Sequence, residues 1–73
     1  DGWGYFIGFD VGNQYGEHLG RIREVDDSTI NVLFVVERGE EVFLIPATED
    51  FMIAIDEEKG RIEMRLPEGL LDT

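Results

Sequence analysis

The chain reads as a small all-β domain in which six short strands close into a barrel. Three observations lead there. Turn signals cut the sequence into short apolar stretches, the pattern of a small β domain. Its 73 residues amount to one domain, and with no cysteine to form a staple the apolar pattern must carry the fold. Six short strands with no covering helix would also expose their edges, a liability that closure into a barrel removes.

The first stretch is Tyr5–Val11, ended by the turn Gly12-Asn13-Gln14-Tyr15-Gly16-Glu17. Leu19–Val25 follows, then the polar run Asp26-Asp27-Ser28-Thr29. Asn31–Glu37 is the strongest strand, because Val32, Leu33, Phe34, Val35 and Val36 leave no polar gap, a pattern of burial on both faces. Arg38-Gly39-Glu40 reverses the chain and Glu41–Ile45 returns. Pro46 has no N–H for a ladder, so the strand is expected to stop before it. Ala47–Asp50 connects to Phe51–Ile55. Asp56-Glu57-Glu58-Lys59-Gly60 is a hairpin loop whose glycine can take positive φ. Arg61–Leu66 alternates, with Ile62, Met64 and Leu66 inward and Arg61, Glu63 and Arg65 outward. Pro67-Glu68-Gly69-Leu70-Leu71 closes the chain with room for one helical turn. Phe34, Ile45, Ile55 and Ile62 are the expected core. Gly8, inside the first stretch, is expected to allow a bulge or a close backbone approach.

Charge narrows the function. Six Lys+Arg face seventeen Asp+Glu, a net of −11. Non-specific nucleic-acid binding depends on cations against phosphates, and an anionic membrane surface attracts cations too, so neither is an expected partner. A basic protein fits the sign. Hydrophobic content of 42% argues against disorder. The longest purely apolar runs, Val32–Val36 and Phe51–Ile55, are far below the ~20 residues of a spanning helix. A chain that begins at Asp1 without Met reads as a fragment or a processed product. With no cysteine and no export signal, the expected location is the cytoplasm and the expected state a monomer.

No catalytic constellation is visible. The glycines form neither G-x-G-x-x-G nor a glycine loop ending in Lys-Ser/Thr. His18, the only histidine, has no partner at metal-ligand spacing and reads as an edge residue of the second strand. Asp56, Glu58 and Gly60 imitate the start of a calcium loop, but the glycine is one place early and the later acid is missing. Ser28 sits in a polar turn without G-x-S-x-G. The pairs Asp26-Asp27, Glu40-Glu41 and Glu57-Glu58 fall in turns, and adjacent side chains on an extended chain point apart. Arg21 and Arg23, like Arg61, Glu63 and Arg65, read as solvated outer faces. No catalytic residue, metal or cofactor is therefore expected.

The N-terminal segment is the exception. Trp3, Tyr5, Phe6, Ile7 and Phe9 crowd large apolar groups into nine residues. Alternation cannot put all of them on one face without a bulge at Gly8, so some rings must lie outside the core. Two readings are open and compatible. The rings cover a barrel end or pack on a preceding domain, or they form a partner-binding patch, since Trp and Tyr dominate interface hot spots. Trp3, Tyr5 and Phe6 are the candidate binding residues.

Several segments taken in order resemble one family. Phe6-Ile7-Gly8-Phe9-Asp10-Val11 resembles L-I-G-x-x-V, and Tyr15–Ile22 resembles G-x-x-L-G-x-V. Asn31-Val32-Leu33-Phe34-Val35 is similar to N-D-V-L-V-V with one residue absent. Phe43-Leu44-Ile45-Pro46-Ala47 matches x-L-I-P-A, and Leu66-Pro67-Glu68-Gly69-Leu70-Leu71-Asp72 matches a P-E-G-L-L-D ending. This ordered set resembles the PRC-barrel domains of RimM-type ribosome maturation factors. The resemblance implies a six-stranded PRC-type barrel, the C-terminal part of a two-domain assembly chaperone for the 30S subunit. It further implies no enzyme activity, support of 16S rRNA processing, and binding to a basic ribosomal protein of the small-subunit head, without tight RNA binding by the barrel itself. The family's opening segment is commonly Tyr-Tyr-Trp followed by an acid. Here Trp3 keeps the Trp, Gly2 stands where a Tyr is common, and Tyr5 replaces the acid. A domain preceding Asp1 is expected on the same ground. The rival reading is a stand-alone PRC barrel that docks onto or regulates another complex; a small hydrolase is the remote third.

Overall fold

Six strands run in the order β4-β3-β2-β1-β6-β5 in one sheet. They are β1 (Asp10–Gly12), β2 (His18–Asp26), β3 (Leu33–Arg38), β4 (Glu41–Pro46), β5 (Met52–Asp56) and β6 (Arg61–Met64), with 3₁₀ helices at Gly2–Phe6 and Glu49–Phe51. The structure is a computed structural model and describes residues 2–71, so Asp1 and the Asp72 of the closing motif lie outside the described residues. Neighbouring strands are antiparallel except β1 and β6, which pair in parallel with Val11 beside Ile62. Register shifts at Val11/Gly12, Ile22/Glu24 and Met52/Ala54 mark bulges. Each bulge bends its strand and increases twist, and together they curl the sheet around one core.

That core is fed by five of the strands. Val11, Ile22, Phe34, Val36, Ile45, Ile62 and Met64 are essentially inaccessible to solvent. Burying one such side chain stabilises the fold by about 1.5–3 kcal/mol. Ile62, Met64 and Leu66 face in while Arg61, Glu63 and Arg65 face out, as their alternation predicts. The result is the expected all-β barrel. Its outermost strands, β4 and β5, are not laddered to each other, so among the described residues the barrel keeps two sheet edges.

Three expectations are corrected and one is narrowed. Tyr5–Val11 is not one strand: its first part is 3₁₀ and only Asp10–Gly12 is extended. Gly8 does not bulge a strand: its φ of +94° turns the chain out of the 3₁₀ helix, and its N–H donates to the Ile22 carbonyl of β2 at 2.8 Å, the close backbone approach expected of it. Ile55 is 45% exposed. It pairs with inward Ile62, but β5 is an edge strand with no further neighbour among the described residues to cover it. Finally, β4 includes Pro46. Ala47 donates its N–H to the Val32 carbonyl (3.0 Å), which fixes the ladder's phase. In that phase residues 43 and 45 bond to β3, whereas 42, 44 and 46 direct their backbone groups to the free edge. The missing N–H of Pro46 therefore removes no ladder bond.

The chain's end is held by a side chain. The Gln14 amide donates to the Leu66 carbonyl (2.9 Å) and accepts from the Leu66 N–H (3.0 Å). The closing segment makes a single turn, with Leu70 donating to the Pro67 carbonyl at 3.3 Å.

Candidate protein-binding site

The N-terminal 3₁₀ helix sorts the aromatic residues. In a 3₁₀ helix, side chains three apart eclipse one another, so Trp3 and Phe6 share a face. Both rest edge-on against Phe34, at 5.9 and 6.2 Å between ring centroids. Phe9 packs on Phe6 at 5.3 Å with planes at 89°. Edge-to-face geometry of this kind sets a positive ring edge against a negative face and adds to the burial. Trp3, Phe6 and Phe9 are half-buried and close one end of the barrel over Phe34.

Tyr5 falls on the other side of the helix. It is 52% exposed, although its ring still touches Phe6 and Phe9 at 5.3 and 5.6 Å. Its hydroxyl donates to Glu57 Oε2 at 2.9 Å, in the hairpin loop between β5 and β6. The carboxylate holds the phenolic proton, first through that hydrogen bond, so the Tyr5 pKa is raised above its ordinary value. Ile7, next along, is half-exposed as well. Of the three candidate residues, Tyr5 presents its side chain to solvent, while Trp3 and Phe6 divide theirs between solvent and Phe34. The end of the barrel thus carries an apolar surface beside the acidic loop Asp56-Glu57-Glu58. Sequence reasoning did not find the Tyr5–Glu57 link, because 52 residues separate the partners and no local pattern joins them.

Other polar residues are engaged with one another. His18 opens β2 and lies 3.3 Å from Asp10, which Arg21 also approaches at 3.6 Å. His18 and Asp10 border a cleft of about 340 Å³ beside the β1–β6 pair. Ser28 donates its hydroxyl (2.7 Å) and its N–H (3.0 Å) to Asp26, closing a local turn. Asp56 accepts from the Lys59 N–H at 3.1 Å, which caps the hairpin in place of a calcium loop. Among the described residues no three His, Asp or Glu side chains gather to hold a metal ion. Among them too, no helix is long and apolar enough to cross a membrane.

Comparison with known proteins places this geometry. The family model described as the RimM PRC barrel domain matches residues 3–70. A ribosome maturation factor RimM of Phocaeicola vulgatus is 46% identical over 69 residues, covering 94% of this chain and 40% of the relative. The protein of the same name from Bacteroides thetaiotaomicron is 47% identical over 72 residues, covering 96% and 40%. The chain thus spans about 40% of the length of these curated relatives. Among solved structures, a 16S ribosomal RNA processing protein RimM of Pseudomonas aeruginosa superposes with a TM-score of 0.77 at 21% identity, over 89% of this chain and 43% of that one.

Proposed function

Because the chain belongs to the RimM PRC barrel family, we propose that it is the C-terminal, non-catalytic barrel of a cytoplasmic ribosome maturation factor. In this reading it binds a basic ribosomal protein of the small-subunit head and so supports maturation of the subunit and processing of 16S rRNA. The family match over residues 3–70 carries the ribosomal assignment. The exposed Tyr5 beside the acidic hairpin loop supports a protein partner, and the net charge of −11 supports a basic one. Acidic side chains speed the encounter; Tyr5, with the exposed edges of Trp3 and Phe6, supplies contact area that loses water on docking.

Calorimetry with purified small-subunit head proteins, beside a gel shift with the matching rRNA fragment, tests this. Tyr5→Ala is the informative variant, since Trp3 also supports Phe34 and its loss would confuse stability with binding. A hot-spot loss of about 2 kcal/mol corresponds to roughly 30-fold weaker binding, appearing mainly in the off-rate. Tight RNA binding with no protein binding would overturn the reading.

A further inference from the structure

We propose that the free edge of β4 binds an extended segment of a basic protein by adding it to the sheet as a further strand. The ladder phase set by the Ala47–Val32 bond turns the N–H and C=O of Val42 and Leu44 away from β3. Among the described residues no other strand pairs with β4. Its register against β3 runs unbroken from Arg38↔Glu41 to Leu33↔Pro46. The opposite edge, β5, carries the bulge at Met52/Ala54, and bulges are a means of blunting an edge.

The outer face next to this edge is apolar. Inward-facing pairs are Phe34–Ile45 and Val36–Phe43; the pairs between them, Leu33–Pro46, Val35–Leu44 and Glu37–Val42, face out. Val35 is only 7% exposed on that outer face, while Leu44 and Val42 are 55% and 47% exposed. An added strand would extend the rows through its alternate side chains, with main-chain bonds giving affinity and these side chains specificity. Charge chooses the occupant. Glu41 begins β4, Glu40 precedes it in the turn, and Glu37 stands opposite Val42 on the outer face, so acids lie at this edge itself. Lysines or arginines among the apolar residues of the incoming strand would answer them and the net charge of −11. A second copy of this chain is disfavoured, because two molecules of charge −11 repel. The inference rests on the proposed function only in taking the partner to be basic.

Amide hydrogen exchange of the ¹⁵N-labelled domain tests it, using a synthetic peptide of alternating lysine and valine as probe. With peptide at ten times its dissociation constant, the Val42 and Leu44 amides should exchange about tenfold more slowly. A glutamate–valine peptide should leave them unchanged. Leu44→Pro removes an edge-facing N–H and no ladder bond, and should abolish the effect; if that variant does not fold, the exchange pattern of the unaltered domain decides alone. Equal slowing by both peptides, slowing confined to β5 or Gly2–Phe6, no slowing, or dimerisation through β4 would each overturn the proposal. Head-protein binding that depends on Tyr5 while the β4 amides are unaffected would overturn strand addition and leave the proposed function standing. Slowing by the basic peptide without any head-protein binding would do the reverse.

Discussion

Gly20 is the most crowded of the described glycines. A Cβ built there would lie 2.5 Å from the Glu37 carbonyl oxygen and 2.9 Å from Val36 Cγ1, and its φ of +144° strains any L side chain. Gly8 has positive φ but open space where a Cβ would lie. Gly8→Ala should therefore cost about 1–3 kcal/mol from the backbone alone. Gly20→Ala should exceed that, since β2 and β3 must separate to admit the methyl group; paired melting curves of the variants check the order. Asp26 offers a second residue-scale prediction. The Ser28 hydroxyl and then its N–H stabilise the carboxylate, lowering the Asp26 pKa. Asp26 thus favours the fold above the ordinary carboxylate range, and that contribution fades as pH falls through its lowered value. Ser28→Ala should move the pKa part of the way back up, read from the Asp26 carboxyl signal in an NMR titration. An unmoved titration would refute the hydroxyl's role.

Elements differ in how readily their sequence discloses them. The Arg61–Leu66 alternation and the unbroken Val32–Val36 run are strong because burial follows a period of two. That run's two-sided burial was also legible, and Val35 on the outer face is its signature. The strand read at Tyr5–Val11 was not resolved, because aromatic-rich segments suit both a strand and a 3₁₀ helix whose residues three apart reach the same ring. Which strands become edges is a property of topology, so Ile55 looked like a core residue from its local pattern. Phe34→Ala should cost about 3–5 kcal/mol, a large part of the ~4–11 kcal/mol expected for a domain of this size. Ile55→Ala, on the edge, should cost about 1 kcal/mol or less. Denaturant midpoints of the two variants compare them directly, and similar midpoints would invalidate the edge assignment of β5. Of the candidate site, the aromatic composition was legible, but the division of labour between buried Trp3 and Phe6 faces and exposed Tyr5 needed the helix and the distant Glu57.

For the whole molecule, charge is the dominant global term. Self-repulsion at −11 opposes compaction, whereas the ion pairs Arg23–Glu37 and Arg38–Glu41, both at 3.1 Å, are exposed and contribute little. Salt screens exposed charges over about 10 Å at 0.1 M. The melting temperature should rise across a moderate sodium chloride series, and a steady fall would refute the repulsion account. The parallel pairing of β1 with β6 governs a different matter, the order of events during synthesis. Val11 has its partner Ile62 about fifty positions later in the chain. As a ribosome extends the polypeptide, β2, β3 and β4 can pair with their sequence neighbours as soon as they emerge. The first strand gains its second neighbour only when the last one appears. Until then a nascent chain carries a three-residue strand with one side open in the middle of its future sheet, so closure waits for nearly the entire domain to be made.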